Sequence, residues 1–363
     1  MADRGGRPLG IAIVGLGWAG SRQVEAAREL GRDVDIVALV DNDPEFLRER
    51  SAALDVPTTY MDLDDALVDP QVEAISICTP HGLHAQQALA AAAAGRHILV
   101  EKPMAMTVAD AIRMTEAAEE AGVTIYVAES EVYLPYSLDL REVVQERLIG
   151  ELTFASLVSG YREPSPAYPG RRAWLTLPEL GGTGTWYLQG VHALAALRYV
   201  LGEVASVYVQ HHATSSWQRP DLEATMSALL VLESGLNVWF VQTTETQVPA
   251  PLRGFQLYGE HGVIVAGRDG YDLHRTGRAS DGATADVPVE HVTYPDPGLS
   301  SYALELEAFA RTVRGEVVGP TTGRGELRTM AVLEAGMESV RIAAPVRLAD
   351  RFPELYRASA AST

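Results

Sequence analysis

The sequence has 363 residues, which is long for one ordinary domain and suits two. Hydrophobic residues make up 47% and charged residues 21%, so the chain has ample apolar material for cores. The formal net charge of −19 at pH 7 argues against a nucleic-acid backbone as a partner.

Cysteine content and hydropathy indicate the compartment. Cys78 is the single cysteine, so no intrachain disulfide can form, which fits a reducing environment. The N-terminal segment MADRGGRPLG lacks the apolar stretch of a signal peptide, and no segment has the apolar length needed to span a bilayer. We therefore expect a cytoplasmic protein with no membrane partner.

The first third of the chain alternates short apolar strands with helices. Strands are predicted at residues 10–15, 36–40, 72–78, 97–100 and 123–128, and helices at residues 19–30, 44–54, 84–94 and 108–121. Uninterrupted apolar strands between helices are typical of a parallel sheet that is covered on both faces. Residues 1–130 are thus predicted to form a doubly wound α/β domain of the Rossmann type.

The pattern changes after about residue 130. Longer strands, several of them alternating apolar with polar residues, are predicted at residues 152–161, 204–212, 224–233, 236–245 and 254–266. Helices are predicted at residues 138–148, 186–201, 302–314 and 325–342. We expect an α+β domain on a large, mostly antiparallel open sheet over residues 131–345, which would hold the substrate, and a C-terminal tail over residues 346–363.

A glycine-rich motif stands between the first predicted strand and helix. Residues 15–20 read GLGWAG, a G-x-G-x-x-G in which glycines permit a tight turn, close approach of a pyrophosphate and close strand–helix packing. The helix start offers free N–H groups to phosphates. The predicted dinucleotide contacts in this motif are Gly15, Gly17, Trp18, Ala19 and Gly20.

An acidic residue ends the second predicted strand. Asp41 lies 21 residues after Gly20, where a carboxylate would accept the ribose hydroxyls, with Asn42 beside it. A 2′-phosphate there would face Asp41 and Asp43, with no Arg or Lys at the next two positions. This arrangement favours NAD over NADP as the cofactor.

Two further motifs follow later strands of the same domain, TPHGLH at residues 79–84 and EKP at residues 101–103. Both stand at the carboxyl ends of predicted parallel strands, where a doubly wound sheet binds its ligand. With the paired glycines at 181–182 and the helical segment GVHAL at 190–194, the chain resembles the Gfo/Idh/MocA family of oxidoreductases over nearly its whole length.

The resemblance implies roles for the residues in these motifs. Glu101 would hold cofactor hydroxyls, and Lys102 would stand beside the reacting carbon as a catalytic and cofactor-contacting residue. His192 would act as the general acid/base across the cleft from Lys102. The residues implied to flank the nicotinamide ribose are Thr79, Pro80 and His84.

Elementary chemistry agrees with the two catalytic candidates. Oxidation of an alcohol needs a group that takes the hydroxyl proton while hydride leaves. A histidine has a suitable unperturbed pKa, and a lysine close to NAD⁺ in a closed cleft can have its pKa lowered. Either Lys102 or His192 could therefore serve.

The sequence departs from the family pattern one helical turn before His192. Relatives that oxidise sugars usually have D-x-G-x-H, whereas this chain has Leu188 in place of the aspartate. Gln189, three residues before His192, could bind or orient substrate but cannot carry charge. Either Lys102 and His192 suffice, or another polar residue fills in, or the substrate lacks the hydroxyl that the aspartate holds.

Other residues are weaker candidates for the substrate pocket. Tyr161 and Arg162, with Glu163, end the first strand of the second domain, and Trp174 could stack on a sugar ring. Glu129 could reach the site or lie on a solvated edge. The histidines lack metal-ligand spacing and supporting acids, so we expect no metal.

Three functions remain open from the sequence. The first is an NAD-dependent dehydrogenase for a secondary alcohol of a cyclitol, sugar or sugar-derived compound. The second is a redox-neutral enzyme in which tightly bound NAD oxidises and re-reduces one substrate around an elimination or hydrolysis. The third is a non-catalytic NAD-binding sensor.

Relatives assemble as oligomers, so we expect a homodimer or homotetramer formed through the open face of the second sheet.

Overall fold

The computed structural model divides the chain into two units. It describes residues 7–162, 170–177, 180–181, 183–217, 219, 222–250, 252–278, 284–285 and 287–356. The first unit comprises Met1–Tyr133, Tyr168–Gly182 and Gly298–Leu327, and the second comprises Leu134–Ala167, Thr183–Pro297 and Arg328–Thr363.

The first unit is built on a six-stranded parallel sheet in the order β3-β2-β1-β4-β5-β6. Every residue of the central strand is buried, as expected where helices cover both faces. The strand order reverses beside β1, which places a switch point between β1 and β4. The strands are β1 (Leu9–Val14), β2 (Val34–Val40), β3 (Thr59–Tyr60), β4 (Ala74–Ile77), β5 (His97–Glu101) and β6 (Ile125–Ala128).

Helices connect these strands and begin at recognisable signals. The second helix starts after Asp43, whose carboxylate accepts hydrogen bonds from the N–H groups of Glu45 and Phe46, with Pro44 at its first position. The helices of this unit are α1 (Trp18–Leu30), α2 (Pro44–Leu54), α3 (Leu63–Leu67), α4 (His84–Ala93) and α5 (Val108–Glu120), with short 3₁₀ turns at His81–Leu83, Ser130–Tyr133 and Gly170–Thr176.

A helix from late in the sequence also belongs to the first unit, which interrupts the continuous second domain predicted over residues 131–345. The helix at Ser301–Val313 buries Leu306 and Phe309 in the same core as Val24 of α1. Tyr302 meets Trp18 edge-to-face with ring centroids 6.0 Å apart. The sequence did not predict that this helix packs in the first unit, because the apolar face of a helix does not indicate which sheet it covers.

The second unit is built on a nine-stranded sheet in the order β16-β13-β12-β11-β7-β10-β9-β8-β17. Among the described pairs only β7 and β10 run parallel, so the sheet is mostly antiparallel, as predicted. Its strands are β7 (Leu152–Gly160), β8 (Val204–His212), β9 (Thr225–Leu232), β10 (Asn237–Thr243), β11 (Gly254–Gly259), β12 (Gly262–Ala266), β13 (Gly270–Arg275), β16 (Glu290–Thr293) and β17 (Val346–Arg347).

The remaining elements complete this unit. A two-stranded ribbon pairs β14 (Gly277–Arg278) with β15 (Thr284–Ala285). The helices, numbered with Ser301–Val313 as α8, are α6 (Pro135–Gln145), α7 (Val191–Leu201), α9 (Gly323–Ile342), α10 (Leu348–Arg351) and α11 (Pro353–Tyr356). Among the described residues, no helix combines the length and apolarity that a bilayer crossing requires.

The predicted C-terminal tail is wrong for its first eleven residues. β17 pairs antiparallel with β8 at the edge of the sheet, and Val346, Leu348 and Phe352 are buried. Burial of these three apolar side chains fixes the segment against the second unit. Residues 357–363 lie outside the described part of the chain.

Candidate active site

The glycine motif forms the turn between β1 and α1. Gly15 has a φ of +87°, and a Cβ on it would lie 2.7 Å from the carbonyl oxygen of Cys78. A Cβ on Gly20 would lie 2.2 Å from the carbonyl oxygen of Gly15. Both contacts are shorter than a carbon and an oxygen tolerate, so the turn and the strand–helix contact require glycine at these two positions.

The start of α1 is open toward an anionic ligand. No side chain caps this helix, whose N-cap residue is Gly17, and a Cβ on Gly17 would meet no atom within 4 Å. Trp18 is exposed and Ala19 half-buried at the first turn. Free N–H groups at the positive end of a helix dipole, next to open space, fit the pyrophosphate of a dinucleotide.

Asp41 follows β2 and is almost fully buried. Its Oδ2 accepts a hydrogen bond from the N–H of Leu16 in the glycine turn at 3.1 Å, and its Oδ1 accepts one from the N–H of Asp43 at 3.1 Å. These two bonds orient the carboxylate beside the glycine turn, where the sequence predicts the ribose. Asn42 is exposed next to it.

A distant arginine also contacts this carboxylate. Nη2 of Arg171 lies 2.8 Å from both carboxylate oxygens of Asp41, and its Nη1 lies 3.0 Å from Oδ2 of Asp43. The sequence argument for NAD considered only the positions that follow Asp41, so it did not include this cation. The arginine comes from 130 residues further along the chain, so local sequence carried no signal of it.

His84 ties together two of the predicted cofactor segments. Its side chain is completely buried, and its ring nitrogens lie 3.0 Å from the carbonyl oxygens of Thr79 and Pro103. Burial lowers the pKa of His84 to about 4, so the ring is neutral at pH 7. Because a neutral imidazole has one N–H, His84 donates to only one of these two carbonyl oxygens, and its ring packs between the TPHGLH and EKP turns. Its implied contact with the nicotinamide ribose stays a prediction.

The loop after β4 carries the other predicted residues of this group. Thr79 and Pro80 are half-buried, and the Thr79 hydroxyl donates a hydrogen bond to Oε1 of Gln87 at 2.6 Å. His81 is buried, and burial lowers its pKa well below the ordinary range. Trp174, predicted to bind substrate, packs edge-on against His81 with ring centroids 4.7 Å apart and therefore belongs to the first unit.

Lys102 is half-buried directly after β5, and its charge acts on the carboxyl groups of Glu101 and Glu129. The backbone N–H of Lys102 donates to Oε2 of Glu101 at 3.3 Å. Burial raises the pKa of Glu101 and of Glu129 to about 7, and the charge of Lys102 partly offsets that rise in both. Burial also raises the pKa of Glu305 well above its ordinary value.

The sequence analysis left the place of Glu129 open and did not single out Glu305. Glu129 is 0% exposed, so it does not lie on a solvated edge. Glu305 comes from α8, and its Oε1 accepts a hydrogen bond from Nε2 of Gln23 in α1 at 3.0 Å. A glutamate on the same helical face as Leu306 and Phe309 was the available sequence signal for Glu305.

The second unit holds His192 near the start of α7. The turn before it, Trp186–Gly190, is π-helical, whereas the sequence predicts one regular α-helix over residues 186–201. A π-helical turn is wider than an α-helical one, so Gln189 does not share a face with His192 in the way that α-helical spacing implies. Leu188, Gln189 and His192 are all half-buried.

Side chains that the sequence analysis missed support this wide turn. The carboxylate of Glu223, nearly buried, accepts a hydrogen bond from the N–H of Trp186 at 3.1 Å, and further backbone N–H groups of the turn lower its pKa while burial raises it more strongly. Nε2 of Gln242 donates to the hydroxyl of Thr185 at 3.1 Å. The Trp186 indole donates to the carbonyl of Leu333 at 3.0 Å.

Tyr161 and Arg162 follow β7 in the second unit. The N–H of Tyr161 donates to the carbonyl of Thr243 at 3.2 Å, which continues the parallel pairing of β7 with β10. Tyr161 is half-buried and Arg162 exposed, while Glu163 lies outside the described residues. Within the described part of the chain, no three His, Cys, Asp or Glu residues are grouped so as to hold a metal ion.

A parallel sheet with a glycine turn at its switch point and an acid after β2 defines a protein of the dinucleotide-binding class. Residues 9–129 match the family described as "Oxidoreductase family, NAD-binding Rossmann fold", and residues 137–265 match the "GFO/IDH/MocA C-terminal domain". The chain belongs to the Gfo/Idh/MocA family of oxidoreductases. Together the two matches cover most of the chain, and they agree with the resemblance stated from the motifs.

Individual relatives are more distant. The chain is 31% identical over 227 residues to a 1-carboxy-3-chloro-3,4-dihydroxycyclohexa-1,5-diene dehydrogenase of Comamonas testosteroni, covering 62% of this chain and 55% of that protein. It is 28% identical to D-xylose 1-dehydrogenase (NADP(+)) 2 of Haloferax volcanii, covering 93% and 99%. Among solved structures, levoglucosan dehydrogenase in complex with NADH and levoglucosan has a TM-score of 0.81 at 19% identity, covering 94% and 100%.

Proposed function

We propose that this protein is an NAD-dependent dehydrogenase that transfers hydride between nicotinamide and a secondary alcohol or ketone of a cyclitol, sugar or sugar-derived substrate. The observation that carries the proposal is the position of Lys102, half-buried at the carboxyl end of β5 beside the loop that follows β4. Substrates named for the relatives are sugars or cyclic diols, which agrees with this class.

In this proposal Lys102 binds and polarises the reacting oxygen. Nicotinamide supplies the hydride acceptor when the cofactor is bound. The ammonium group of Lys102 donates a hydrogen bond to the substrate oxygen and stabilises the negative charge that develops on it. The buried ring of His84 packs between the carbonyl groups of Thr79 and Pro103 and donates to one of them, which helps to fix the backbone next to Lys102.

His192 is proposed to move the hydroxyl proton. It is half-buried on a helix of the second unit, and an imidazole can take a proton near neutral pH. The side chain of Leu188 has no polar atom, so we propose a substrate that makes fewer hydroxyl contacts here than the D-x-G-x-H relatives allow. Gln189 and Tyr161 remain proposed substrate contacts.

The cofactor is proposed to lie along the glycine turn. The open start of α1 would receive the pyrophosphate and Asp41 the adenosine ribose. Glu101 is proposed to bind cofactor hydroxyls, and its raised pKa of about 7 allows it to donate as well as accept a hydrogen bond near neutral pH.

Turnover on a defined panel tests the proposal. The full chain would be incubated with NAD⁺ and NADP⁺ separately, each with cyclitols, aldoses and anhydrosugars, and NAD(P)H would be followed by its absorbance. The proposal predicts NADH formation with at least one cyclic polyol. No turnover in either direction with any member would contradict it. Retained NAD(H) with product formed but no net NADH would instead favour the redox-neutral alternative.

A further inference from the structure

The environment of Asp41 contains a cation that the cofactor must displace or use. Each carboxylate oxygen of Asp41 already accepts one backbone N–H, from Asp43 and from Leu16. Nη2 of Arg171 adds a contact of 2.8 Å to both oxygens. A carboxylate has about four acceptor positions, so the ribose hydroxyls can bind Asp41 only where Arg171 gives up its contacts.

The guanidinium is held at this place by more than Asp41. Its Nη1 lies 3.0 Å from Oδ2 of Asp43, and its central carbon lies 3.9 Å from the centroid of the Phe46 ring. The side chain is 44% exposed, so its outer N–H groups face solvent. An arginine released from Asp41 therefore remains beside the ribose position, anchored by Asp43 and by stacking on Phe46.

The local charge also differs from what two aspartates alone would give. Asp41 and Asp43 together carry −2, and the guanidinium of Arg171 offsets one of these charges. The guanidinium of Arg50 lies on the same aromatic ring at 6.0 Å from its centroid and brings a second positive charge near this position. A 2′-phosphate at this position would meet a planar donor that matches its oxygens, and much less net repulsion.

We propose that Arg171 is the residue that sets the discrimination between NAD and NADP in this protein. It competes with the ribose hydroxyls of NAD for Asp41, and it donates to the 2′-phosphate of NADP. Both effects act in the same direction, because each shifts relative affinity toward NADP. The inference rests on the proposed use of a nicotinamide cofactor at this turn, and a relative named for NADP shows that the family accommodates that cofactor.

Binding titrations of the full chain with NADH and NADPH test this inference without any turnover. In Arg171→Ala the affinity for NADPH should fall about 10- to 100-fold, the usual worth of a charge-assisted hydrogen bond, while the affinity for NADH stays equal or rises. Arg171→Lys should keep part of the NADPH affinity, since it retains the charge without the planar fork. Arg113→Ala, which removes an exposed arginine paired with Asp110, is the matched control and should leave both affinities unchanged.

The ratio of the dissociation constants for NADH and NADPH distinguishes a role of Arg171 in cofactor specificity from a purely structural role. A purely structural role for Arg171 would weaken both dinucleotides by the same factor, and an unchanged ratio would overturn the inference. Failure of the wild type to bind either dinucleotide would overturn it as well. If the ratio shifts as predicted but no alcohol is oxidised, the proposed substrate chemistry fails while the role of Arg171 stands.

Discussion

Lys102 lies beside two carboxyl groups, those of Glu101 and Glu129, that burial keeps partly protonated. Burial raises the pKa of Glu101 and Glu129 to about 7, so near neutral pH each is a mixture of acid and carboxylate. The protein therefore holds groups that can exchange a proton near neutral pH beside its proposed catalytic lysine. Perturbed pKa values of this kind cluster at functional sites.

Substitution of His192 tests its proposed role as the acid/base. His192→Ala should lower kcat about 10²–10⁴-fold, the usual contribution of a positioned acid/base, with NADH affinity nearly intact. Steady-state kinetics and a NADH titration measure the two quantities. Gln189→Ala, also half-buried but unable to transfer a proton, is the control and should raise KM more than it lowers kcat. Near-full activity in His192→Ala would pass the proton-transfer role to Lys102.

The raised pKa of Glu129 predicts how stability depends on pH. The folded protein binds this proton more tightly than the unfolded chain, since the pKa rises from 4.5 to about 7. Its contribution to stability is therefore present below pH 4.5 and is lost as the pH rises toward 7 and beyond. Glu129→Gln should raise Tm at pH 8, by roughly 2–4 °C for each kcal/mol recovered, and change it less at pH 5.

Differential scanning fluorimetry at both pH values measures this effect. Glu120→Gln removes an exposed carboxylate and controls for the change in net charge. Equal changes in Tm at pH 5 and pH 8 for Glu129→Gln would contradict the account, because they would show a packing effect and not a titration.

At the scale of elements, the sequence predicted the first unit well because its signals are local. The strand, glycine turn, helix and acid occur in order within residues 9–41, and each needs only its neighbours to be recognised. The sheet edge where TPHGLH and EKP meet follows from the carboxyl ends of β4 and β5. The contacts of the His84 ring with the carbonyl groups of Thr79 and Pro103 could not be predicted from the spacing of the motifs.

The elements that sequence reasoning missed depend on distant contacts. The return of α8 to the first core, the pairing of β17 with β8, and the arrival of Arg171 at Asp41 each join residues more than 100 positions apart. A single sequence shows which helix faces are apolar and which residues are charged, but it does not show which distant residues they contact. The π-helical turn at Trp186–Gly190 has the same origin, since the capping carboxylate of Glu223 lies 37 residues away.

The hydrogen bond between Glu223 and the N–H of Trp186 is expected to stabilise the folded protein. Glu223→Ala removes the acceptor of the Trp186 N–H inside a buried environment, and an unpaired buried donor costs about 1–3 kcal/mol. Urea unfolding should show this loss. Glu223→Gln keeps an acceptor oxygen and should cost less than Glu223→Ala. Equal stability of Glu223→Ala and the wild type would contradict the capping role.

For the whole molecule, one face of the nine-stranded sheet carries exposed apolar side chains. Trp239 is 65% exposed and opposes Leu229 across β9 and β10, and Phe154 stacks on Tyr258 with ring centroids 4.1 Å apart. Apolar groups of this size on a broad sheet are typical of a protein–protein contact. We expect a second copy of the chain to cover this face, which makes the protein a homodimer or homotetramer.

Light scattering of Trp239→Glu tests the expected assembly. The wild type should have a mass that is a multiple of 39.1 kDa, and the variant should shift toward 39.1 kDa, because a carboxylate in a dry interface is costly to desolvate. Val68→Glu, at an exposed apolar residue of the first unit, is the control and should keep the wild-type mass. A wild type that stays at 39.1 kDa at all concentrations would contradict the expectation.

The most direct test of the dehydrogenase proposal compares Lys102→Ala with the wild type on a substrate found by the panel. We predict that kcat falls about 10²–10⁴-fold while the NADH dissociation constant changes little, because Lys102 acts on the charge that develops at the reacting oxygen. Arg113→Ala, at an exposed position of α5, is the matched control, because it also removes one positive charge. A Lys102→Ala variant that keeps wild-type kcat would contradict the proposal.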